Sequence, residues 1–361
     1  EGTDAVRIED LSIRPRVAER EIRVELQLVN EDAGASRSVT LSGAVRPWQG
    51  DAAVPFDVPA VTIDVPPSGS EFCTVTVPMP GARKWSPEDP FLYVLTLEAC
   101  EDETVLDAVS ERFGMRELSV GPDCLLLNGE PLMFRAVCDE FFGCPTIAPI
   151  VDRDLIRRRI GMIKRLGFNA KRYHTHVPPR EELDLCDEMG VLVHAEISVI
   201  SNFHRTEPYP ACREVWKAAL RQIRNHASFV TYCMGNEGSQ IMDGKYDKVR
   251  EYYADAKALA PDTPVLAASG MQGEHPDVPN DFETPHFWGR FFKWSYDGLS
   301  SVPWHTLAPL AEKGPLVIHE YGKFTVWPDP AEDAYFREEG MPLKGNYGAM
   351  GRAALEEAGL G

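Results

Sequence analysis

Apolar and polar residues alternate along IRVELQLVN (22–30), FCTVTV (72–77) and FLYVLTLEA (91–99). A period of two turns one face of a strand to a core and the other to water. Stretches rich in Pro and Gly, VPPSGS (65–70) and PMPGARKWSPEDP (78–90), separate these runs. Short strands, frequent turns and no helical period predict an immunoglobulin-like β-sandwich over residues 1–118.

From Leu118 the pattern changes. Apolar runs at 131–137, 168–174, 191–197, 229–235, 264–269, 281–287 and 315–320 read as strands. Between them, 154–167, 180–190, 212–227 and 245–260 carry apolar residues at three- and four-residue steps, and two of these end at Gly167 and Gly190. Those steps predict helices, and the glycines suit helix C-caps. Repeated β-then-α with buried strands predicts a parallel sheet with helices outside it. A doubly wound nucleotide-binding sheet is disfavoured, because no GxGxxG or GxxxxGK[ST] follows a strand.

Polar residues instead collect at the C-terminal ends of many strands: Asp139 and Glu140; Arg172, His174 and His176; Glu196; Asn236 and Glu237; His286; His319 and Glu320. A site gathered from many strand ends around one axis is what a (β/α)8 TIM barrel offers. Residues 119–361 are assigned to it. Seven strands are countable, and 322–361 are rich in Pro, Gly and charge, so the barrel is expected to stop before its eighth strand. Open strand edges invite pairing with another chain, so a homo-oligomer is expected.

Composition narrows the classes of function. The 361 residues are 43% hydrophobic and 26% charged, which is globular usage. A net charge of −19 repels phosphate and disfavours a nucleic-acid partner. No apolar run nears the ~20 residues of a membrane helix, so no membrane partner is expected. The chain opens EGTDAV, without initiator Met or signal peptide, as a mature form or a piece of a longer chain would. Eight cysteines at 73, 100, 124, 138, 144, 186, 212 and 233 show no C-x-x-C and no zinc spacing. Buried reduced thiols in a cytoplasmic protein are the expectation, with no metal site and no cofactor.

Glu237 follows an apolar strand in CMGNEGS, and Glu320 ends another in LVIHEYG. Carboxylates at the mouths of buried strands have lost water, a cost that pairing or function must offset. Two that face each other can divide labour, one protonated and one ionised, as glycoside hydrolysis requires. Taken singly, each could equally pair with a rim cation.

The sequence resembles glycoside hydrolase family 2, the β-galactosidases, β-glucuronidases and β-mannosidases, along nearly all its length. The segments that carry the resemblance are KWSPEDPFLYVLTL, RFGMREL, LLLNGEPLMFRAV, KRLGFNAKRYHTHVPP, LCDEMGVLVHAEI, IRNHASFVTYCMGNE and PLVIHEYG, in that order. The resemblance implies a retaining β-glycosidase acting on a carbohydrate substrate. Glu237 would be the acid/base and Glu320 the nucleophile, about 5–5.5 Å apart. Asn236 would bind the sugar 2-hydroxyl, and Arg172 would sit near the nucleophile with Glu196 as its partner. His174 or His176 would face the sugar, His174 being nearer the strand, and Asp139 would contact distal hydroxyls. His286 and Trp288 in HFWGRFFKW would line the pyranose, with Tyr321 standing in for the tyrosine that members place beside the nucleophile. Family members usually begin with a jelly-roll domain, which is absent, so a fragment is expected. The alternative is a non-catalytic carbohydrate-binding or scaffold protein that keeps the fold. An inverting barrel hydrolase would need the carboxylates roughly 6.5–9.5 Å apart.

Overall fold

The computed structural model describes residues 5–50, 55–139, 150–197, 210–236, 246–267, 269, 279–284, 312, 314–317 and 319. All of these belong to one compact unit. The first seven strands are β1 (Val6–Arg16), β2 (Glu21–Asn30), β3 (Arg37–Pro47), β4 (Phe56–Val65), β5 (Gly69–Pro78), β6 (Tyr93–Glu101) and β7 (Thr104–Phe113). They form two antiparallel sheets, ordered β1-β2-β5 and β4-β3-β6-β7. The alternation in β2 is strict: Ile22, Val24, Leu26 and Leu28 are fully buried between the sheets, while their neighbours face outward. Pro59 hides β4 from a pattern search. It is tolerated because β4 is an edge strand and its register slips between Leu41 and Gly43 of β3.

A small antiparallel sheet links the sandwich to the next layer: β8 (Leu118–Val120), β9 (Leu125–Leu127) and β10 (Glu130–Pro131). Asn128 and Gly129 turn β9 into β10 with φ of 56° and 85°, the geometry an Asn-Gly hairpin turn favours. The expected first barrel strand at 131–137 is therefore displaced. Pro131 pairs with Leu126 in the hairpin, and the barrel strand β11 runs Ala136–Asp139.

The remaining elements alternate as expected. They are α1 (Arg153–Arg165), β12 (Ala170–Tyr173), α2 (Arg180–Met189), β13 (Leu192–Glu196), α3 (Pro210–Ile223), β14 (Phe229–Cys233), α4 (Tyr246–Leu259) and β15 (Val265–Leu266). Strands β11 to β15 form a parallel sheet in sequence order. The run continues through a hydrogen bond from Asp281 N–H to Val265 O and a parallel bridge between Glu283 and Leu316. The sixth and seventh predicted strands are thus present as short parallel contacts, and residues 321–361, where an eighth was sought, lie outside the described residues. Asp152 caps α1 by accepting from the N–H groups of Asp154 and Leu155, and Gly190 ends α2 in the left-handed region. Among the described residues, no helix is long and apolar enough to cross a membrane.

Two faces of the parallel sheet are buried. On the outside, Tyr173, Val193, Ala195, Phe229, Tyr232 and Val265 pack against helix residues such as Ile156, Ile160, Leu183 and Trp216. On the inside, Trp85 and Leu92 from the sandwich side and Leu118 and Leu127 from the hairpin sheet meet Ala170, Leu192 and Val230. They plug the end of the strands opposite the polar residues. Arg116, buried, donates to the carbonyls of His226, Ala227 and Phe229 and so holds the turn that launches β14. Burial lowers its pKa to about 10, which leaves it charged at neutral pH. Beside it, Asp187 accepts from Ser228 N–H at 2.7 Å and lies 2.7 Å from His226 Nδ1. Cys73, Cys186 and Cys233 are buried as expected, burial lifting the Cys186 thiol to about 12, whereas Cys138 is exposed on β11.

Two outcomes follow for stability. A Cβ at Gly190, where φ is 66°, would stand 2.2 Å from the Pro87 carbonyl oxygen. Gly190→Ala is expected to destabilise by more than the ~1–2 kcal/mol of the left-handed conformation alone, measured as a fall in urea midpoint. Burial by itself would lower the His226 pKa, but Asp187 outweighs it and the pKa is raised. A raised pKa stabilises the fold fully below the unfolded value near 6.5, and that increment is lost as pH rises through the native value. Urea midpoints taken from pH 5 to 9 should show this alkaline loss in the wild type and not in His226→Asn.

Candidate active site

Alternation along β12 sorts its four buried residues. Ala170 joins the inner plug and Tyr173 the outer core, so Arg172 shares the inner face with Ala170, and Lys171 the outer face with Tyr173. Lys171 bonds Asp139 at 2.8 Å and pairs with Glu182 of α2, its ammonium 4.5 Å from the centre of the Tyr173 ring. Burial alone would lower its pKa; Glu182 and the other neighbours raise it. Asp139 also accepts from Arg159 of α1 at 3.2 Å. These contacts engage Asp139 on the helix side of the sheet.

Arg172 is the hub of that cluster. Its Nε and Nη2 donate to Glu196 Oε2 at 3.2 and 2.9 Å. Nη2 also reaches Asn236 Oδ1 at 2.9 Å and Ser269 Oγ at 3.1 Å. Ser269 Oγ lies 2.7 Å from Asn236 Oδ1 and 3.1 Å from Glu196 Oε2. Arg172 is 2% exposed and Glu196 0%, so each charge has exchanged water for the other. The pairing expected of Arg172 and Glu196 is present. One further consequence concerns Asn236: with its oxygen held by Arg172, its amide N–H₂ is the end turned to other acceptors.

Thr175 occupies a left-handed φ of 62°, unusual for a β-branched residue. Its N–H donates to Glu196 Oε1 at 3.1 Å, so the same carboxylate that pairs with Arg172 holds the turn. This turn divides the two histidines. His176 Nδ1–H donates to the His174 carbonyl, 2.9 Å away, and the ring stands edge-on to Tyr173. His174, the first residue after β12, donates its N–H to the Asp139 carbonyl at 3.0 Å.

One inner residue escaped the sequence reading. His194 of β13, paired in register with Arg172, lies 5% exposed in the barrel. Its Nδ1 is 2.7 Å from Thr231 Oγ1, and its Nε2 is buried with no hydrogen-bond partner. Burial, aided by the Arg172 charge, lowers its pKa to about 3, so the ring is neutral. His319 stands edge-on to it with ring centres 4.5 Å apart. The i, i+2 spacing of His194 and Glu196 was the signal that could have found it. Ser269 had none, because a serine ending a strand is common. Glu237, Glu320, His286, Trp288 and Tyr321 lie outside the described residues, although Asn236 and His319 immediately precede the two carboxylates.

Removing one member of a buried ion pair strands the other. Arg172→Met is expected to destabilise by about 3–5 kcal/mol, and the double variant Arg172→Met/Glu196→Gln by less, compared by urea denaturation. Equal losses in the two would mean that the Glu196 charge is not the source of the cost.

Comparison with known proteins agrees with this architecture. Residues 6–116 match the model of glycosyl hydrolases family 2, and residues 118–323 match the TIM barrel domain of the same family. A putative β-glucuronidase of Formosa agariphila is 30% identical over 164 residues, 43% of this chain and 16% of that protein. A β-galactosidase of Pectobacterium atrosepticum is 27% identical over 263 residues, 66% of this chain and 23% of that protein. The chain thus spans less than a quarter of the length of either relative. The crystal structure of a β-galacturonidase from Eisenbergiella tayi superposes with a TM-score of 0.72 at 21% identity, covering 92% of this chain and 59% of that one. At that identity the likeness is one of fold. With both of its segments matched, more than half of its length by the barrel model alone, the chain belongs to glycosyl hydrolase family 2.

Proposed function

We propose that this chain carries the catalytic centre of a retaining β-glycosidase, in a barrel domain of residues 119–361 that follows the 1–118 sandwich. The observation that supports the reading best is the buried network of Arg172, Glu196, Asn236 and Ser269 at the ends of β12 to β15. It holds Asn236 with its amide donor outward, one residue before Glu237. His319, within ring contact of His194 beneath that network, is one residue before Glu320.

In this reading a β-glycoside binds with its 2-hydroxyl on the Asn236 amide, with His174 or His176 and Asp139 toward its other hydroxyls. Glu237 gives its proton to the glycosidic oxygen as Glu320 attacks the anomeric carbon; the C–O bond breaks and a glycosyl ester forms. Glu237, now a carboxylate, takes a proton from water, the water oxygen attacks the same carbon, and the ester bond breaks to free Glu320. His286, Trp288 and Tyr321 complete the proposed pocket.

An activated 2-fluoro β-glycoside should add one sugar to the peptide that contains Glu320. Glu320→Gln should lose about a thousandfold or more in turnover of nitrophenyl β-glycosides. Glu237→Gln should be slowed more on poor leaving groups than on activated aryl ones, since only the former need the proton. Label on another residue, or unchanged turnover in Glu320→Gln, rejects the assignment. No label from any sugar tested favours a carbohydrate-binding role.

A further inference from the structure

We propose that His194, Glu196 and His319 form a binding site for one divalent transition-metal cation of the zinc class, inside the barrel beneath the Arg172 network. A nitrogen of each histidine and an oxygen of the carboxylate already lie within 4.8 Å of one another. Ligands about 2.0–2.2 Å from a common tetrahedral ion stand roughly 3.4 Å apart, so the groups need to close by up to about 1.4 Å. Two imidazoles and one carboxylate are the donor set that such an ion takes when one position stays open.

The buried Nε2 of His194 is the second, separate observation. A polar atom with no partner inside a barrel is costly, and a cation would satisfy it. Thr231 holds the opposite nitrogen at 2.7 Å, the outer contact that fixes ring and tautomer in histidine ligands. Glu196 retains capacity as well: Oε1 accepts a single hydrogen bond, from Thr175, while Arg172 and Ser269 engage Oε2. Arg172 is the opposing charge, and a dication would compete with its guanidinium for the Glu196 carboxylate.

A cation here would tie β13 to the seventh strand, whose Leu316 bridges Glu283. Its effect on turnover, through the position of Glu320, rests on the glycosidase reading; binding itself does not. The two can therefore fail separately.

The test is a titration of the chelator-treated 361-residue chain with Co²⁺, followed by visible absorption and then by Zn²⁺ displacement. One saturable equivalent, displaced by Zn²⁺ and accompanied by a rise in Tm, is expected. His194→Gln and His319→Gln should each abolish it, and Thr231→Val should weaken it about 10–100-fold. Absence of saturable binding to the wild type overturns the proposal, and so does binding that survives undiminished in both histidine variants. Should a histidine variant fail to fold, the wild-type titration and Thr231→Val still decide: an affinity that Thr231→Val leaves unchanged overturns it.

Discussion

The interior of this barrel is organised around one buried charge pair. Taking the Arg172 guanidinium and the Glu196 carboxylate out of water is repaid only if their donors and acceptors find partners. They do, through Asn236, Ser269 and the Thr175 N–H. Together with the pair itself, those partners lie at the ends of four neighbouring strands, β12 to β15, so satisfying the charges fixes the relative heights of all four. A shift of any strand would strand a charge or a buried amide. The polar cluster acts as the register lock of the parallel sheet at its C-terminal end.

The opposite end is fixed by packing. Parallel strands buried on both faces need a filler inside as well as helices outside. Here Trp85, Leu92, Leu118 and Leu127, from the sandwich side and the hairpin sheet, provide it. Trp85 Nε1 also donates to the Asp187 carbonyl at 3.0 Å, and Asp187 in turn holds Ser228 and His226. The sandwich is thus continuous with the barrel core. Residues 225–229 receive Arg116, Asp187 and the Ile13 N–H through Asn225, which positions β14 and with it Asn236.

Relatives named for different sugars share this fold. That is the expected behaviour of a barrel whose strand ends hold a common cluster while connecting loops differ.

Much of this was legible in the sequence because it depends on local periodicity. The β2 alternation, the four helices, the Gly190 cap and the parallel order of strands each follow from residues a few positions apart. The Arg172–Glu196 pair came from the family resemblance, which carries tertiary information in linear form. Other features depended on depth and facing. Asp139 ends a four-residue strand, and on so short a segment a shift of one position exchanges the inner and outer faces. The displaced start of β11 came from an Asn-Gly turn between two apolar runs, LLL (125–127) and PLMF (131–134). The meeting of His194 with His319 joins strands 125 residues apart by number, and the Ser269 contacts need the strand order itself. Sequence determined which elements form, because propensity and period are local; only tertiary structure decided which side chains share an interior, because burial and proximity are properties of the assembled sheet.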